Sequence, residues 1–221
     1  MMSGWKSMSR PTDEQKLVEA IAGRVLARLA QTDPRDVVLG VSNRHVHLSQ
    51  EDLATLFGQD AMTLYRAVRQ PIEFAAQETV TVHGPKATFQ HVRAMGPCRK
   101  ASQVELSRTD AIALGVDAPL TQSGHLAQAG PVDIEGPRGS VHLEHGAMVA
   151  ARHLHCSDDF AASLGLKDQD LIKIAIPGPR GGILDNVIVR TNPTWVPEIH
   201  LDTDEANALG ATHGQIVRLV I

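Results

Sequence analysis

Two His-x-His pairs are the residues of this sequence whose type and spacing best suit metal chemistry. They are Arg44-His45-Val46-His47 and Arg152-His153-Leu154-His155. Side chains two residues apart on a β-strand point to the same face, so both imidazoles of a pair can face one ion. A single His-x-His often arises by coincidence on a polar surface. Two copies with the same flanking arginine favour metal binding over coincidence.

A third ligand is available for each pair. Glu105 and His200 each stand two residues before a helix N-cap, as His47 and His155 do. The resulting His-His-Glu or His-His-His sets suit zinc or another divalent ion and leave a fourth coordination position open for catalysis. The alternative is that Glu105 is an exposed carboxylate at a strand end and His200 a surface imidazole. The remaining histidines are predicted to be ordinary surface or turn residues: His83, His91, His125, His142, His145 and His213.

One recurring pattern predicts the four short helices that follow these ligands. Each copy has a cap residue, acidic residues in the first turn and a terminal Leu-Gly, in which glycine supplies the left-handed C-terminal position. The predicted N-caps are Ser49, Ser107, Ser157 and Asp202, and the predicted terminal glycines are Gly58, Gly115, Gly165 and Gly210. His-x-His copies alternate with single-ligand copies, which predicts two tandem β-rich halves that meet near residues 116–131. The clearest predicted strands are Leu171–Ile176 and Ile216–Val220.

A separate segment precedes the repeats. Residues 12–30 have apolar positions every four residues, at Leu17, Ile21, Val25 and Leu29, and predict an amphipathic helix that stops before Pro34. The predicted organisation is therefore an N-terminal segment (1–33), a first half (34–119) and a second half (120–221). The predicted fold class is mainly β with short α-helices.

The composition limits the class of partner. The 221 residues carry 21 Lys and Arg against 25 Asp and Glu, and this net charge of −4 argues against a nucleic-acid partner. The sequence has no run of about 18 apolar residues, so no membrane span is predicted. Two cysteines, Cys98 and Cys156, and an N-terminus without an apolar export signal predict a reducing, cytoplasmic location.

Two cations stand shortly before Glu105, in the turn Gly96-Pro97-Cys98-Arg99-Lys100. An arginine in such a turn can bind phosphate through two parallel hydrogen bonds beside a metal, and the alternative is an exposed basic turn. The sequence has no nucleophile elbow, no Walker loop and no G-x-G-x-x-G after a strand. Nucleotide hydrolysis and dinucleotide redox chemistry therefore lack support.

Four longer segments carry a more specific signal: Ser42–Ser49, Phe74–Glu78, Gly96–Glu105 and Val149–His155. Together and in this order, they resemble the PduL-type phosphotransacylases, which are the phosphate propanoyltransferases of bacterial microcompartments. The resemblance covers about residues 36–221, nearly the whole chain after the leading helix. It implies two tandem β-barrel domains capped by helices, with a dinuclear zinc site (or a site for another divalent metal) where the barrels meet.

The resemblance also implies roles for individual residues. One ion would be held by His45, His47 and Glu105, and the other by His153, His155 and His200. Arg99 matches the family's phosphate-binding arginine. The coenzyme A contacts would fall on Ser42, Arg93, Met95 and Asn207.

The implied activity is interconversion of propanoyl- or acetyl-coenzyme A and phosphate with acyl phosphate and coenzyme A. We hypothesise that phosphate held by Arg99 attacks the thioester carbonyl, while metal stabilises the oxyanion and coenzyme A leaves as thiolate. The resemblance further implies a role in propanediol degradation and packaging in a cytoplasmic microcompartment. Residues 12–30 would contact shell or core proteins there, and the family also makes a homo-oligomer plausible.

Two other functions remain open from the sequence. With water in place of phosphate, the same site would be a metal-dependent thioesterase or other hydrolase. A non-enzymatic alternative is a zinc-stapled scaffold of a microcompartment, with two closed four-coordinate metals. The absence of cysteine among the six candidate ligands argues against the scaffold.

Overall fold

The computed structural model describes residues 33–221, which contain fourteen strands and four short helices. The strands are β1 (Asp36–Ser42), β2 (His45–His47), β3 (Leu64–Ala67), β4 (Phe74–His83), β5 (Thr88–Gly96), β6 (Gln103–Leu106), β7 (Leu120–Thr121), β8 (Gly130–Glu135), β9 (Ser140–Ala150), β10 (His153–Cys156), β11 (Leu171–Ile176), β12 (Gly182–Thr191), β13 (Glu198–Asp202) and β14 (Ile216–Val220). The helices are α1 (Gln50–Phe57), α2 (Arg108–Leu114), α3 (Asp158–Ser163) and α4 (Thr203–Leu209). The predicted mainly β class is confirmed, and the predicted helix at residues 12–30 lies outside the described residues.

The chain divides into two units, the first of which ends at Asp36 and the second of which is residues 37–221. At the described end of the first unit, the Arg35 guanidinium pairs with the Asp33 carboxylate at 2.7 Å. The second unit carries all the side chains of the candidate site.

The four helices begin and end as the capping pattern predicts. Each predicted N-cap side chain accepts a hydrogen bond from the backbone N–H three residues later. The four predicted glycines all have positive φ angles, between 60° and 77°. The helices have only six to eight residues, and no helix within residues 33–221 is long and apolar enough to cross a bilayer.

The strands form two closed six-stranded barrels. In barrel 1 the ring order is β4-β5-β2-β6-β9-β8, with β3 attached to β4 and β7 attached to β9. In barrel 2 the order is β1-β13-β10-β12-β11-β14. Each barrel encloses its own apolar core, with Val46 and Ile134 fully buried in barrel 1 and Leu154 and Ile199 fully buried in barrel 2. The expected pair of β-barrels is confirmed.

Each His-x-His strand is preceded in the chain by a strand of the other barrel. β1 directly precedes the first His-x-His strand, β2 of barrel 1, yet it pairs in parallel with β13 of barrel 2. β9 directly precedes the second His-x-His strand, β10 of barrel 2, yet it pairs in parallel with β6 of barrel 1. The chain therefore crosses from one barrel to the other just before each His-x-His pair.

The order in which the strands enter the two barrels differs from the predicted division of the chain. The boundary between residues 34–119 and 120–221 stays a prediction about folding units. The chain does not pass from one barrel to the other at residue 120. The strands β7, β8 and β9, which begin at or after that residue, belong to barrel 1, and β1 belongs to barrel 2. Strands that pair although they are far apart in the chain, as β1 and β13 do, share no local sequence pattern from which the pairing could be predicted.

Candidate active site

Each His-x-His motif directs its imidazoles away from a barrel core. The central residues, Val46 and Leu154, are fully buried in the two cores. Because side chains alternate along a strand, the flanking histidines face the opposite side. Nε2 of His45 lies 3.2 Å from Nε2 of His47. The ring centroids of the second pair, in β10, lie 4.5 Å apart.

Strand pairing brings a third ligand-type side chain to each pair. Glu105 of β6 is opposite His45, and His200 of β13 is opposite His153, both in antiparallel register. The Glu105 carboxylate lies 3.5 Å from Nε2 of His45 and 3.5 Å from Nε2 of His47. Within each set, one ligand-type atom per residue lies within 4.8 Å of the others. We call the two sets cluster 1 (His45, His47, Glu105) and cluster 2 (His153, His155, His200).

The chemistry of both clusters fits a metal cation. In cluster 2, both ring nitrogens of His155 and Nε2 of His200 are buried without a hydrogen-bond partner among the described residues. Nε2 of His200 lies 3.2 Å from the Glu198 carboxylate, outside hydrogen-bond geometry. Buried imidazole nitrogens without partners are unfavourable, and a cation supplies what they lack. The imidazole and carboxylate donor sets are those that zinc and similar divalent ions prefer.

Backbone carbonyls fix the orientation of three of the imidazoles. Nδ1 of His45 donates to the Asn43 oxygen at 2.8 Å, and Nδ1 of His153 donates to the Ala151 oxygen at 2.8 Å. Nδ1 of His47 is likewise 3.2 Å from the Met95 carbonyl oxygen on β5. A carbonyl can only accept, so the proton of each neutral ring is on Nδ1 and the lone pair is on Nε2. In cluster 1 this leaves the two adjacent Nε2 atoms free to bind a cation.

A hydrogen-bond network holds the Glu105 carboxylate. Its Oε1 accepts from Nε2 of Gln103 at 2.6 Å and from Oγ of Ser123 at 2.8 Å. Ser123 Oγ in turn accepts from Gln103 Nε2 at 2.6 Å and from Arg99 Nη1 at 2.6 Å. Gln103 and Ser123 were not predicted as site residues. The Gln-x-Glu spacing was a signal for Gln103, since alternation places it on the same strand face as Glu105.

Burial favours the neutral form of three cluster imidazoles, those of His47, His153 and His155. It lowers the pKa of His47 to about 4 and the pKa of His153 to about 3, and it also lowers the pKa of His155. Burial opposes ionisation of Glu105, but its interactions with His45 and His47 and the hydrogen bond from Ser123 hold its pKa well below the ordinary value. At neutral pH His47, His153 and His155 therefore offer nitrogen lone pairs and Glu105 offers a carboxylate, the protonation states that metal binding requires.

Acid is expected to destabilise the metal-free protein from about pH 6.5 downward, the pKa of an unfolded-chain histidine. Below that pH the unfolded state binds protons that buried His47 and His153 exclude in the folded state. Their contribution is fully present above pH 6.5 and is lost as the pH falls toward their folded pKa values, about 4 and about 3. At pH 5 each should lower the free energy of unfolding by about 2 kcal/mol, measurable as a lower urea midpoint after chelation.

A pair of substitutions checks the source of this pH dependence. His153→Gln removes a buried titrating group and should flatten the slope of unfolding free energy between pH 6.5 and pH 5. His125→Gln removes an exposed histidine outside both clusters and should leave the slope as it was. An unchanged slope in the His153 variant would contradict the assignment.

Arg99 lies beside cluster 1 with hydrogen-bond donors to spare. Nη1 donates to Ser123, whereas Nη2 has only a 3.7 Å approach to the Glu73 carboxylate, and the side chain is 32% exposed. Burial is the main cause of the lowered pKa of His47 and of His155, and the charge of Arg99 contributes to both. Arg99 is therefore within electrostatic reach of both clusters.

The residues expected to contact coenzyme A lie near the clusters in two groups. Arg93 of β5 is opposite His45 in parallel register, and Met95, two residues further, shares that face of the strand. Ser42 ends β1 opposite the N-cap of α4. Asn207 is exposed on that helix. Their contact with coenzyme A stays a prediction.

Two residues near cluster 2 were not predicted as site residues. The Trp195 ring packs on the His155 ring, with centroids 4.0 Å apart. Arg190 of β12 is opposite His155, and its guanidinium carbon lies 5.6 Å from the Trp195 ring centroid. Arg93 has the same relation to His45 in barrel 1, through the parallel pairing of β5 with β2.

The fold and the site define a double β-barrel protein with two clusters of metal-ligand type and an arginine beside them. A family model described as phosphate propanoyltransferase matches residues 38–212. The phosphate propanoyltransferase of Rhodobacter capsulatus is 42% identical over 209 residues, covering 93% of this chain and 97% of the relative. The phosphate propanoyltransferase of Thermotoga maritima is 44% identical over 199 residues, covering 89% and 94%. This chain belongs to the phosphate propanoyltransferase family and is an acyltransferase, which confirms the resemblance drawn from the motifs.

Proposed function

We propose that this protein interconverts propanoyl- or acetyl-coenzyme A and phosphate with the acyl phosphate and free coenzyme A. The observation that carries the proposal is the position of Arg99. Its guanidinium lies next to cluster 1 with hydrogen-bond donors that no protein group uses, and its charge also acts on His155 of cluster 2. An arginine so placed suits an anion with several oxygens. The names of the relatives support phosphate and a propanoyl group as substrates.

The six cluster residues would hold two divalent ions, one in each cluster. When bound, such ions act as Lewis acids that stabilise negative charge on substrate oxygens. Zinc is our proposed metal, because imidazole with carboxylate is a common zinc donor set and three protein ligands leave a position for substrate. The buried nitrogens of cluster 2 that lack hydrogen-bond partners support this assignment.

Arg99 would bind and orient the phosphate. Its Nη1 is held by Ser123, which anchors the guanidinium at one end and leaves the remaining donors for phosphate oxygens. Phosphate attack on the thioester carbon forms a C–O bond and breaks the C–S bond, so coenzyme A leaves as thiolate. Holding phosphate in line with the carbonyl converts a bimolecular encounter into a step within one complex, which is a large part of such catalysis.

Direct transfer fits the site better than a covalent acyl-enzyme. Burial raises the pKa of the Cys98 thiol, and it raises the pKa of Cys156, in the barrel 2 core, to about 11. The single proton of the Ser123 hydroxyl is donated to Glu105. Neither thiol is activated as a nucleophile, because its pKa is raised. Ser123 is not activated either, because the carboxylate that accepts its proton has a pKa well below the ordinary value and is a weak base.

Coenzyme A would lie along the outer faces of the strands beside the clusters. Arg93 and Met95 would contact it from β5, and Ser42 and Asn207 from the junction of β1 with α4. Their alignment with cluster residues supports this placement. The thioester would then meet the phosphate between the two clusters.

The test is whether thiol release from propanoyl-coenzyme A requires inorganic phosphate. With purified, metal-loaded protein, we expect thiol release only when phosphate is present, with acyl phosphate as the product. Equal rates without phosphate would identify a thioesterase instead. No thiol release under either condition would favour a zinc-stapled scaffold.

We further propose that the protein acts in propanediol degradation inside a cytoplasmic bacterial microcompartment. The proposed targeting segment is the amphipathic stretch of residues 12–30, whose apolar side chains would contact shell or core proteins. The microcompartment association of the family resemblance supports this proposal.

A reporter fused to residues 1–33 is expected to gather in foci in a compartment-forming cell, because the apolar row would bind a shell or core protein. The matched control carries serine at Leu17, Ile21, Val25 and Leu29, and should be dispersed. Fluorescence microscopy compares the two fusions. Dispersal of the unmodified fusion would contradict the targeting role.

A further inference from the structure

Arg190 places a positive charge beside cluster 2 from the neighbouring strand. Its chain neighbour Val189 is fully buried in the barrel 2 core, so Arg190 faces outward, as does His155 opposite it on β10. The Trp195 ring lies between them, in contact with His155 and under the guanidinium. After burial and the neighbouring imidazoles, the charge of Arg190 also lowers the pKa of His155.

This guanidinium has no hydrogen-bond acceptor and no ion-pair partner within residues 33–221. No carboxylate lies at ion-pair distance from Arg190 and no acceptor receives its hydrogen bonds, so its contact is the face of Trp195. The arginines of the two His-x-His motifs are different: Arg44 lies 2.6 Å from the Asp110 carboxylate, and Arg152 lies 2.7 Å from that of Glu205. A partly buried guanidinium without acceptors is unfavourable unless an anion from outside the chain supplies them.

Arg190 and Arg99 stand on two sides of the site that one loop joins. Gln70 in that loop donates to Glu198 of β13 at 2.8 Å, and Glu73 in the same loop lies 3.7 Å from Nη2 of Arg99. Arg99 lies in the turn between β5 and β6 of barrel 1, and Arg190 lies on β12 of barrel 2. Burial and the charge of Arg99 lower the pKa of Arg190, so the two cations repel each other. Such a pair is stabilised by an anion with several oxygens that both guanidiniums can contact, and phosphate has this form.

We propose that Arg190 binds the attacking phosphate together with Arg99, and that this second guanidinium makes the site select phosphate over water. The inference rests on the proposed function. Attack of hydrogen phosphate at the acyl carbon yields acyl phosphate, coenzyme A thiolate and one proton. Water attack at the same carbon yields a carboxylate, the same thiolate and two protons, and in both cases the protons pass to solvent. Two cations hold the anionic nucleophile where water would otherwise stand, and so favour transfer over hydrolysis.

Arg190→Met tests this inference, because it keeps an unbranched side chain and removes the charge and the donors. The KM for phosphate should rise about 10- to 100-fold, the effect of losing a charge-assisted hydrogen bond. The KM for propanoyl-coenzyme A should change by less than about twofold, since that substrate does not use the lost donors. The share of thioester that ends as free carboxylate should increase.

A binding measurement provides a readout that does not depend on turnover. Inorganic phosphate should raise the Tm of the wild-type protein, and this rise should be largely lost in Arg190→Met, because ligand binding stabilises the folded state by mass action. Arg190→Gln is a second charge-removing variant in case the methionine variant does not fold. The matched control is Lys173→Met, which removes a cation of barrel 2 that pairs with Asp185 and should leave phosphate binding unchanged.

Two results would overturn the inference. One is a wild-type phosphate KM and Tm response in both Arg190 variants. The other is loss of bound metal with an equal loss of affinity for both substrates, which would make Arg190 a structural residue of the barrel. Absence of phosphate-dependent transfer in the wild-type protein would instead contradict the proposed function, and it would be seen before any variant is compared.

Discussion

Glu105→Gln and His200→Ala are each expected to remove about one metal ion per chain and to lower phosphate-dependent acyl transfer about 1,000-fold or more. The two residues belong to different clusters, so each variant should lose one ion and retain the other. Elemental analysis of the purified protein gives the metal content, and thiol release in the presence of phosphate gives the rate. Exhaustive chelation of the wild-type protein should remove both ions and abolish transfer.

Glu105→Gln separates coordination from folding. The Oε1 atom of a glutamine can still accept hydrogen bonds from Gln103 and Ser123, as the Glu105 oxygen does. Its amide group, however, would face the His45 and His47 nitrogens with hydrogen-bond donors instead of a negatively charged oxygen. The variant should therefore fold and still lose the ion of cluster 1.

A histidine outside the clusters is the control for these variants. His83→Ala removes a half-buried imidazole that pairs with Glu135 outside both clusters, and it should keep both ions and full activity. Wild-type metal content in Glu105→Gln or His200→Ala would contradict the proposed ligand sets. Normal turnover after exhaustive chelation would contradict a role for metal in the reaction.

The parts of the fold that the sequence predicts are those with local causes. Helix caps depend on residues three positions apart, and all four helices begin after the predicted cap residues. Strand faces depend on alternation, so the imidazoles of His45 and His47 converge while Val46 enters the core. The register of β6 against β2 then explains why Glu105 completes cluster 1.

The parts that the sequence does not predict depend on distant pairing. The parallel pairing of β1 with β13 joins strands from opposite ends of the described chain, and no local pattern encodes it. Because β1 belongs to barrel 2 while β2 to β9 form barrel 1, barrel 2 is not one consecutive stretch of sequence. Ser123 is similar: it reaches Arg99 and Glu105 only because its loop folds back over β6, and an isolated serine carries no signal for that role.

Arg99→Ala is expected to lower phosphate-dependent acyl transfer about 100- to 1,000-fold, the cost of removing a positioned donor to a reacting group. The metal content should stay at the wild-type level. Glu105 keeps its hydrogen bonds from Gln103 and Ser123 when Arg99 is absent, so cluster 1 remains oriented. Most of the loss should appear in the KM for phosphate and in the rate at saturating acyl-coenzyme A.

The neighbouring cation provides the matched control for charge. Lys100→Ala removes one positive charge from the same turn, and no ion pair or hydrogen bond of its side chain is seen within residues 33–221. If Arg99 acted only through the general basic field of the turn, both variants would lose similar activity, since exposed charges act weakly and are screened by salt. We expect Lys100→Ala to remain within about twofold of wild type, because long-range charge effects in salt are small. A similar loss in both variants, or loss of bound metal in Arg99→Ala, would mean that Arg99 supports the turn or cluster 1 and does not bind phosphate.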